Sequence, residues 1–238
     1  MPLARAYSVA LHGVDGHVVE IEADVGGGLP GLHLVGLPDA ALHESKDRVR
    51  AAVVNSEQDW PNERIVLALS PATLRKTGSG FDLALACAVL GAGGVIGQEA
   101  LHRTVLLGEL ALDGRLRAVR GVLPCLLAAQ AAGMRRAVVP TAVLEEAALV
   151  EGIEVHGASS LAEALALAAI RSVAGRLPAG AALNTVPPFV APHHSSSMAA
   201  LVGGGSGMAR PGAVSLAHGG ALPLEREACL TFAAVLEA

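Results

Sequence analysis

The stretch HVVEIEADVGGGLPGLHLVGLPDAALHESKDRVRAAVVN, residues 17–55, decides the fold. Its first nine residues alternate. Val19, Ile21 and Ala23 fall on one side, and Glu20, Glu22 and Asp24 on the other. That period of two is the signature of an antiparallel strand with one buried face. After three glycines, GLHLVG at residues 31–36 predicts a second, shorter strand. Pro38-Asp39 then opens a helix to about residue 55, with Asp39 as the expected N-cap. Leu42, Val49, Ala52 and Val53 form its buried stripe, while Glu44, Lys46, Asp47 and Arg50 face water.

Outward from this stretch the two periods keep interchanging. Residues 5–11 read as a strand that meets residues 17–25 through Gly13-Val14-Asp15-Gly16. Residues 65–69 are an apolar strand between Pro61 and Pro71. Asp82 starts a helix, apolar nearly all round and therefore buried, that runs over residues 83–90. Residues 104–112 and 115–119 flank Asp113-Gly114, a strong hairpin signal. A helix over residues 121–132, a strand over 137–139, a helix over 143–149, a strand over 153–156 and a helix over 161–169 complete the pattern. The tally of roughly seven or eight strands and five helices, hairpins mixed with β-α units, predicts an α/β or α+β domain with a mixed sheet.

Composition narrows the function classes. The chain has 238 residues, 52% hydrophobic and 16% charged, too apolar for a disordered protein. The longest uncharged apolar run, residues 83–97, falls short of the roughly 18 residues a membrane span needs. Cys87, Cys125 and Cys229 are scattered, without metal-ligand spacing, and fit a reducing compartment. With no basic n-region leading into an apolar stretch, a cytoplasmic location is expected. Only Lys46 and Lys76 are lysines, and they follow Ser45 and Arg75. A phosphate-cradling loop of the form G-x-x-x-x-G-K-[ST] requires a Gly-Lys step, and this sequence has none. Composition also shifts near residue 170. Residues 1–168 carry 13 basic and 19 acidic side chains, and the remainder only four and three. The remainder is also punctuated by Pro187-Pro188, Ser195-Ser196-Ser197 and Gly203-Gly204-Gly205.

Four strings together resemble one family: GLPGLHLVGLPDAALHESKDRVRAAV at 28–53, IVLALSPATLRKTGSGFDLALACAVL at 65–90, LLGELALDGRLRAVRGVLPCLLAA at 106–129, and PPFVAPHHSSSMAALVGGGSGMARPGAVSLAHGG at 187–220. The chain resembles the ComM/YifB-type, Mg-chelatase-like AAA+ ATPases of bacteria. The resemblance implies a Lon-protease-like (ribosomal-S5-domain-2-like) N-terminal domain over residues 1–168. A poorly ordered AAA+ remnant is expected over 170–238. In intact members it implies ATP and Mg²⁺ as cofactors and DNA as partner, with a hexameric motor driving branch migration during natural transformation. This sequence departs from that pattern. The linker and phosphate loop of the family have no counterpart between Ala169 and Ile170. The metal-binding strand reads Leu222-Pro223-Leu224-Glu225-Arg226-Glu227, with Pro223 unable to donate to a central strand. Glu225 and Glu227 are a degraded remnant of the Mg²⁺ site. His193 and His194 match a family motif and carry no assigned role here.

The other candidate sites read as non-catalytic. A Ser–Lys protease needs a lysine to take the proton of a nearby serine. By the resemblance, Gly80 stands at the serine position and Leu123 at the lysine position. Ser79 lies one place off, with Lys76 the nearest lysine in sequence. Asp82 is expected to cap the helix it begins. Arg48, Arg50, Arg64 and Arg75, or Arg115, Arg117 and Arg120, could form basic patches, but the chain's net charge of −5 gives no nucleic-acid footprint. His12, His17, His33 and His43 are isolated and expected at the surface. No metal site, no bound cofactor and no ATPase activity are expected of this chain. Its candidate partners are a second copy of itself or an intact paralogue, with no membrane. The alternative reading is an ATP-independent oligomerisation or interaction module of Lon-like fold.

Overall fold

The computed structural model describes residues 3–173, 203–204, 210–211 and 214. Strands β1 (Leu3–His12) and β2 (Asp15–Gly26) form the hairpin expected from the alternating stretch, in register from Leu3 opposite Asp24 to His12 opposite Asp15. Val19, Ile21 and Ala23 are fully buried, while Glu20, Glu22 and Asp24 stand half-buried on the opposite face. β3 (Gly31–Val35) runs parallel to β4 (Arg64–Ser70), and β4 runs antiparallel to β2. Between them lies helix α1 (Ala40–Asn55). Asp39 caps it as expected, its Oδ1 accepting from the Leu42 N–H at 2.8 Å.

Helix α2 (Asp82–Ala92) follows β4 and is buried along almost its whole length. It lies directly on β1 and β2 with α1 packed over it. A helix covered on both sides has no water-facing stripe to keep polar, hence its uniform Ala-Leu composition. The one-turn helix α3 (Gln98–Leu101) leads into β5 (Thr104–Leu106), which pairs parallel with β1.

The structure departs here from the continuous strand expected over residues 104–112. Only Thr104–Leu106 joins the main sheet. The Gly108 N–H donates to Gly80 O at 3.0 Å and Gly108 O accepts from the Leu83 N–H at 3.1 Å. These bonds draw the chain off the sheet toward the N-terminus of α2. The residues beyond form a separate hairpin, β6 (Glu109–Leu110) with β7 (Leu116–Arg117). The Asp113-Gly114 turn holds, and the long strand before it is two short ones.

Helix α4 (Val122–Ala131) crosses the face of the sheet opposite α2, packing on β1 and β2. Next come β8 (Arg136–Pro140) and α5 (Leu144–Ala147). α5 is a single turn entered through a 3-10 turn at Thr141–Val143, shorter than the helix expected over 143–149. β9 (Glu154–Ala158) and α6 (Leu161–Val173) follow. The main sheet has seven strands in the order β3-β4-β2-β1-β5-β8-β9, antiparallel at the β1–β2–β4 steps and parallel elsewhere. This is the mixed α/β sheet that the alternating periods predict.

Two cores lie on its two faces. The larger joins α1 and α2 to Ile21, Ile65, Leu67 and Leu69. The smaller joins α4 to Val9, Val105, Ala137 and Val139. No helix among the described residues is long and apolar enough to cross a membrane. The chain divides into two compact units, Met1–Ala169 and Ile170–Ala238. In the second, Gly203–Gly204 and Arg210–Pro211 form a short antiparallel pair, β10 and β11. His193, His194, Glu225 and Glu227 lie outside the described residues, as does the order expected of the AAA+ remnant.

Candidate functional site

Three elements converge on the turn between β4 and α2, where the resemblance places a protease nucleophile. Lys76 in this turn is fully buried. Its Nζ donates to Gly36 O at 2.9 Å, to Leu69 O at 3.0 Å and to Pro71 O. All three ammonium protons are thereby placed on backbone carbonyls at the ends of β3 and β4. Burial pulls its pKa below the ordinary lysine value, and no carboxylate is among these partners. The Lys76 backbone adds two bonds, accepting from the Asp39 N–H at 3.1 Å and donating to Leu37 O at 3.3 Å. Asp39 Oδ2 accepts from the Gly78 N–H at 3.2 Å, so one carboxylate holds both the start of α1 and the turn.

Asp82 lies one turn further on. It is not the cap expected from sequence: the cap position is Phe81, without a side-chain hydrogen bond. The Asp82 side chain is fully enclosed, accepting from Arg48 Nε at 3.0 Å, Arg48 Nη2 at 3.3 Å and the Leu110 N–H at 3.2 Å. Arg48 Nη2 also donates to Ser45 Oγ at 2.8 Å. Burial pushes the Asp82 carboxyl above the usual aspartate range, while Arg48, Ser45 and the Leu110 N–H pull it back. Arg48 is the more exposed partner, and its hydrogen bond to Asp82 raises its pKa above the ordinary arginine value. The pair ties α1, α2 and the β6–β7 hairpin to one point.

Ser79 completes the cluster. Its hydroxyl donates to Glu109 Oε2, and Glu109 Oε1 lies 3.5 Å from Arg117 Nη1. A serine is activated as a nucleophile by a neighbouring base that takes its proton. Here Ser79 bonds to Glu109, and the Lys76 ammonium is spent on three carbonyls elsewhere. Gly80 has room for a side chain, the nearest atom to an added Cβ being Val119 Cγ1 at 3.7 Å. The serine is thus absent by sequence rather than by steric exclusion. Leu123 gives its N–H to Glu146 Oε1 at 3.0 Å and packs on the smaller core. The Cys87 and Cys125 thiols are pushed up to about 12 by burial, which removes them as thiolates at neutral pH.

Three of the seven arginines considered for basic patches are paired with carboxylates. Arg48 is locked on Asp82, Arg115 bonds Asp113 Oδ2 at 2.7 Å, and Arg117 faces Glu109. His12, His17, His33 and His43 are exposed as expected, and the His12 and His17 rings meet edge to face at 5.8 Å. Among the described residues, no group of three or more His, Cys, Asp or Glu side chains could hold a metal. Sequence reasoning missed the Arg48–Asp82 pair. The available signal was Ser45, a small polar residue on the buried stripe of α1 with Arg48 one turn beyond it.

The sequence pattern of the family described as "Subunit ChlI of Mg-chelatase" matches residues 21–143, and that of "Magnesium chelatase, subunit ChlI" matches residues 152–237. The chain is similar to an uncharacterized protein of Mycobacterium tuberculosis, 46% identical over 99% of this chain and 62% of that protein. It is similar to the competence protein ComM of Haemophilus influenzae, 30% identical over 94% of this chain and 60% of that protein. It is also similar to Lon protease of Mycolicibacterium smegmatis, 28% identical over 57% of this chain and 18% of that protein. The chain thus spans about three-fifths of the length of the first two relatives. The mycobacterial match runs over 314 positions while this chain has 238 residues, so at least 76 positions of that match face no residue here.

Proposed function

This chain belongs to the Mg-chelatase-like family of ComM and YifB, and on that premise we propose that it acts as a non-catalytic Lon-like domain joined to an AAA+ remnant that does not hydrolyse ATP. The domain occupies residues 1–168 and the remnant 170–238. One observation carries this reading: both lysines of the chain are accounted for, and neither follows a glycine. Lys46 lies on α1, and Lys76 is buried with its ammonium on three carbonyls. Phosphoryl transfer from ATP needs a loop of N–H groups and a lysine on the β- and γ-phosphates, with Mg²⁺ neutralising the charge. This sequence does not fit that requirement. The number of unmatched positions in the comparison with the Mycobacterium tuberculosis protein is in keeping with the absence of a linker and phosphate loop. Pro223 and Arg226, at positions that the resemblance gives to the family's metal-binding strand, point the same way. ATP-driven DNA processing is therefore the work of intact relatives, and this chain contributes to it only through contacts.

The test is phosphate release from Mg-ATP by the purified chain. The expected result is no release above a heat-inactivated control. Turnover that disappears when Mg²⁺ is chelated overturns the proposal.

The second reading, an ATP-independent interaction module, is favoured by the completeness of the Lon-like domain. Its sheet is covered by helices on both faces, and the turn that would carry the protease centre is braced by buried polar contacts instead. Such a domain folds and presents surfaces without a nucleotide.

A further inference from the structure

We propose that β3 is a self-pairing edge, joining two copies of this chain as antiparallel neighbours about a two-fold axis at His33; this deepens the interaction-module reading. β3 ends the seven-stranded sheet and pairs only with β4. The Gly31 N–H donates to Glu63 O at 3.3 Å, toward β4. Backbone groups alternate in direction along a strand, so those of Leu32 and Leu34 point away from the sheet. Among the described residues they have no backbone partner.

An unguarded edge is a template for another strand. The opposite edge, β9, carries Glu154 and His156, whose side chains meet at 2.5 Å. β3 has no charged residue apart from any protonation of His33, no proline and no bulge. Pro30 precedes it at an outward-facing position and lacks an N–H, which confines pairing to Leu32 and Leu34.

The occupant follows from symmetry. With His33 opposite the second copy's His33, Leu32 of each chain faces Leu34 of the other. Both have outward-directed N–H and C=O groups, so four backbone hydrogen bonds form. Leu32 and Leu34 already pack against the larger core while remaining partly exposed, and pairing extends that core across the axis. The same register sets Val35, 54% exposed, over Gly31. An exposed large apolar residue is thus covered in the same operation. A generic extended peptide would satisfy the hydrogen bonds but would not match these apolar positions.

The test combines sedimentation of the full chain with cross-linking. The wild-type chain is expected at twice 23.9 kDa in the micromolar range. His33→Asp, which sets two carboxylates face to face at an exposed position, is expected to weaken association at least tenfold without loss of folded signal. Directly opposed residues at a non-hydrogen-bonded site lie within disulfide reach. With Cys229 replaced by Ser, His33→Cys is therefore expected to give a disulfide-linked dimer on mild oxidation, and a Val54→Cys control is not. A monomeric wild-type chain overturns the strand pairing. So does a dimer indifferent to His33→Asp, or one in which His33→Cys cross-links no faster than the control. None of these outcomes touches the ATP reading, which phosphate release decides separately.

Discussion

Asp82 and Arg48 show what a buried charge does when its partner is only partly buried. Asp82 is wholly enclosed and Arg48 is 23% exposed. Removing the arginine leaves the carboxylate with the Leu110 N–H and Ser45 but without its counter-charge. Arg48→Ala is expected to cost about 3 kcal/mol, read by urea unfolding. The pH dependence has a definite sign. Because burial raises the folded carboxyl above its ordinary value, the native state binds this proton more readily than the unfolded chain. The contribution is full below the ordinary aspartate range and is lost as pH rises through the raised value. Wild type is therefore expected to gain stability relative to Asp82→Asn as pH falls from neutrality toward the ordinary aspartate range. A relative loss would mean that Arg48's attraction outweighs burial. Lys76 acts differently, because its partners are carbonyls. Lys76→Met strands three acceptors at the ends of β3 and β4 and is expected to destabilise by about 3 kcal/mol.

At the scale of elements, the β3–α1 connection is the most constrained. Gly36 has φ 108°, and a Cβ there would stand 2.1 Å from Leu69 O. Backbone cannot yield as a flexible side chain does. Gly36→Ala is expected to lose about 3 kcal/mol or more in a thermal or urea melt, and an unchanged melt would contradict the close approach. The strands and helices were legible where one period ran uninterrupted. β2 alternates cleanly because its outer face keeps carboxylates toward water. α2 reads as buried because it has no polar stripe at all. Residues 104–112 misled because their apolar run is continuous, whereas the break at Gly108 is made by hydrogen bonds to Gly80 and Leu83, distant in sequence. Asp82 misled for a similar reason. Its position at a helix start is a local signal for a cap, and the arginine that claims it lies 34 residues earlier. That Gly80 and Leu123 stand at the two positions the resemblance gives to a protease dyad was legible, because it depends only on which residues occupy them. The Arg48–Asp82 pair beside them was not, because it depends on packing between α1, α2 and a hairpin.

For the whole molecule, the sheet domain and the family match give different kinds of information. The sheet brings together a pair of cores, and the match brings membership of the Mg-chelatase-like family. The two lysines reconcile them. Neither follows a glycine, and on that ground the proposed reading is of a domain that makes contacts rather than one that drives a motor. Nucleotide binding is the measurement closest to that claim, since a ligand that binds the folded chain raises its melting temperature by mass action. In millimolar Mg-ATP the melting temperature of the full chain is expected to match that in Mg²⁺ with an equal ionic strength of chloride. A rise of several degrees that is reproduced by a non-hydrolysable ATP analogue and lost on removing Mg²⁺ would contradict the account.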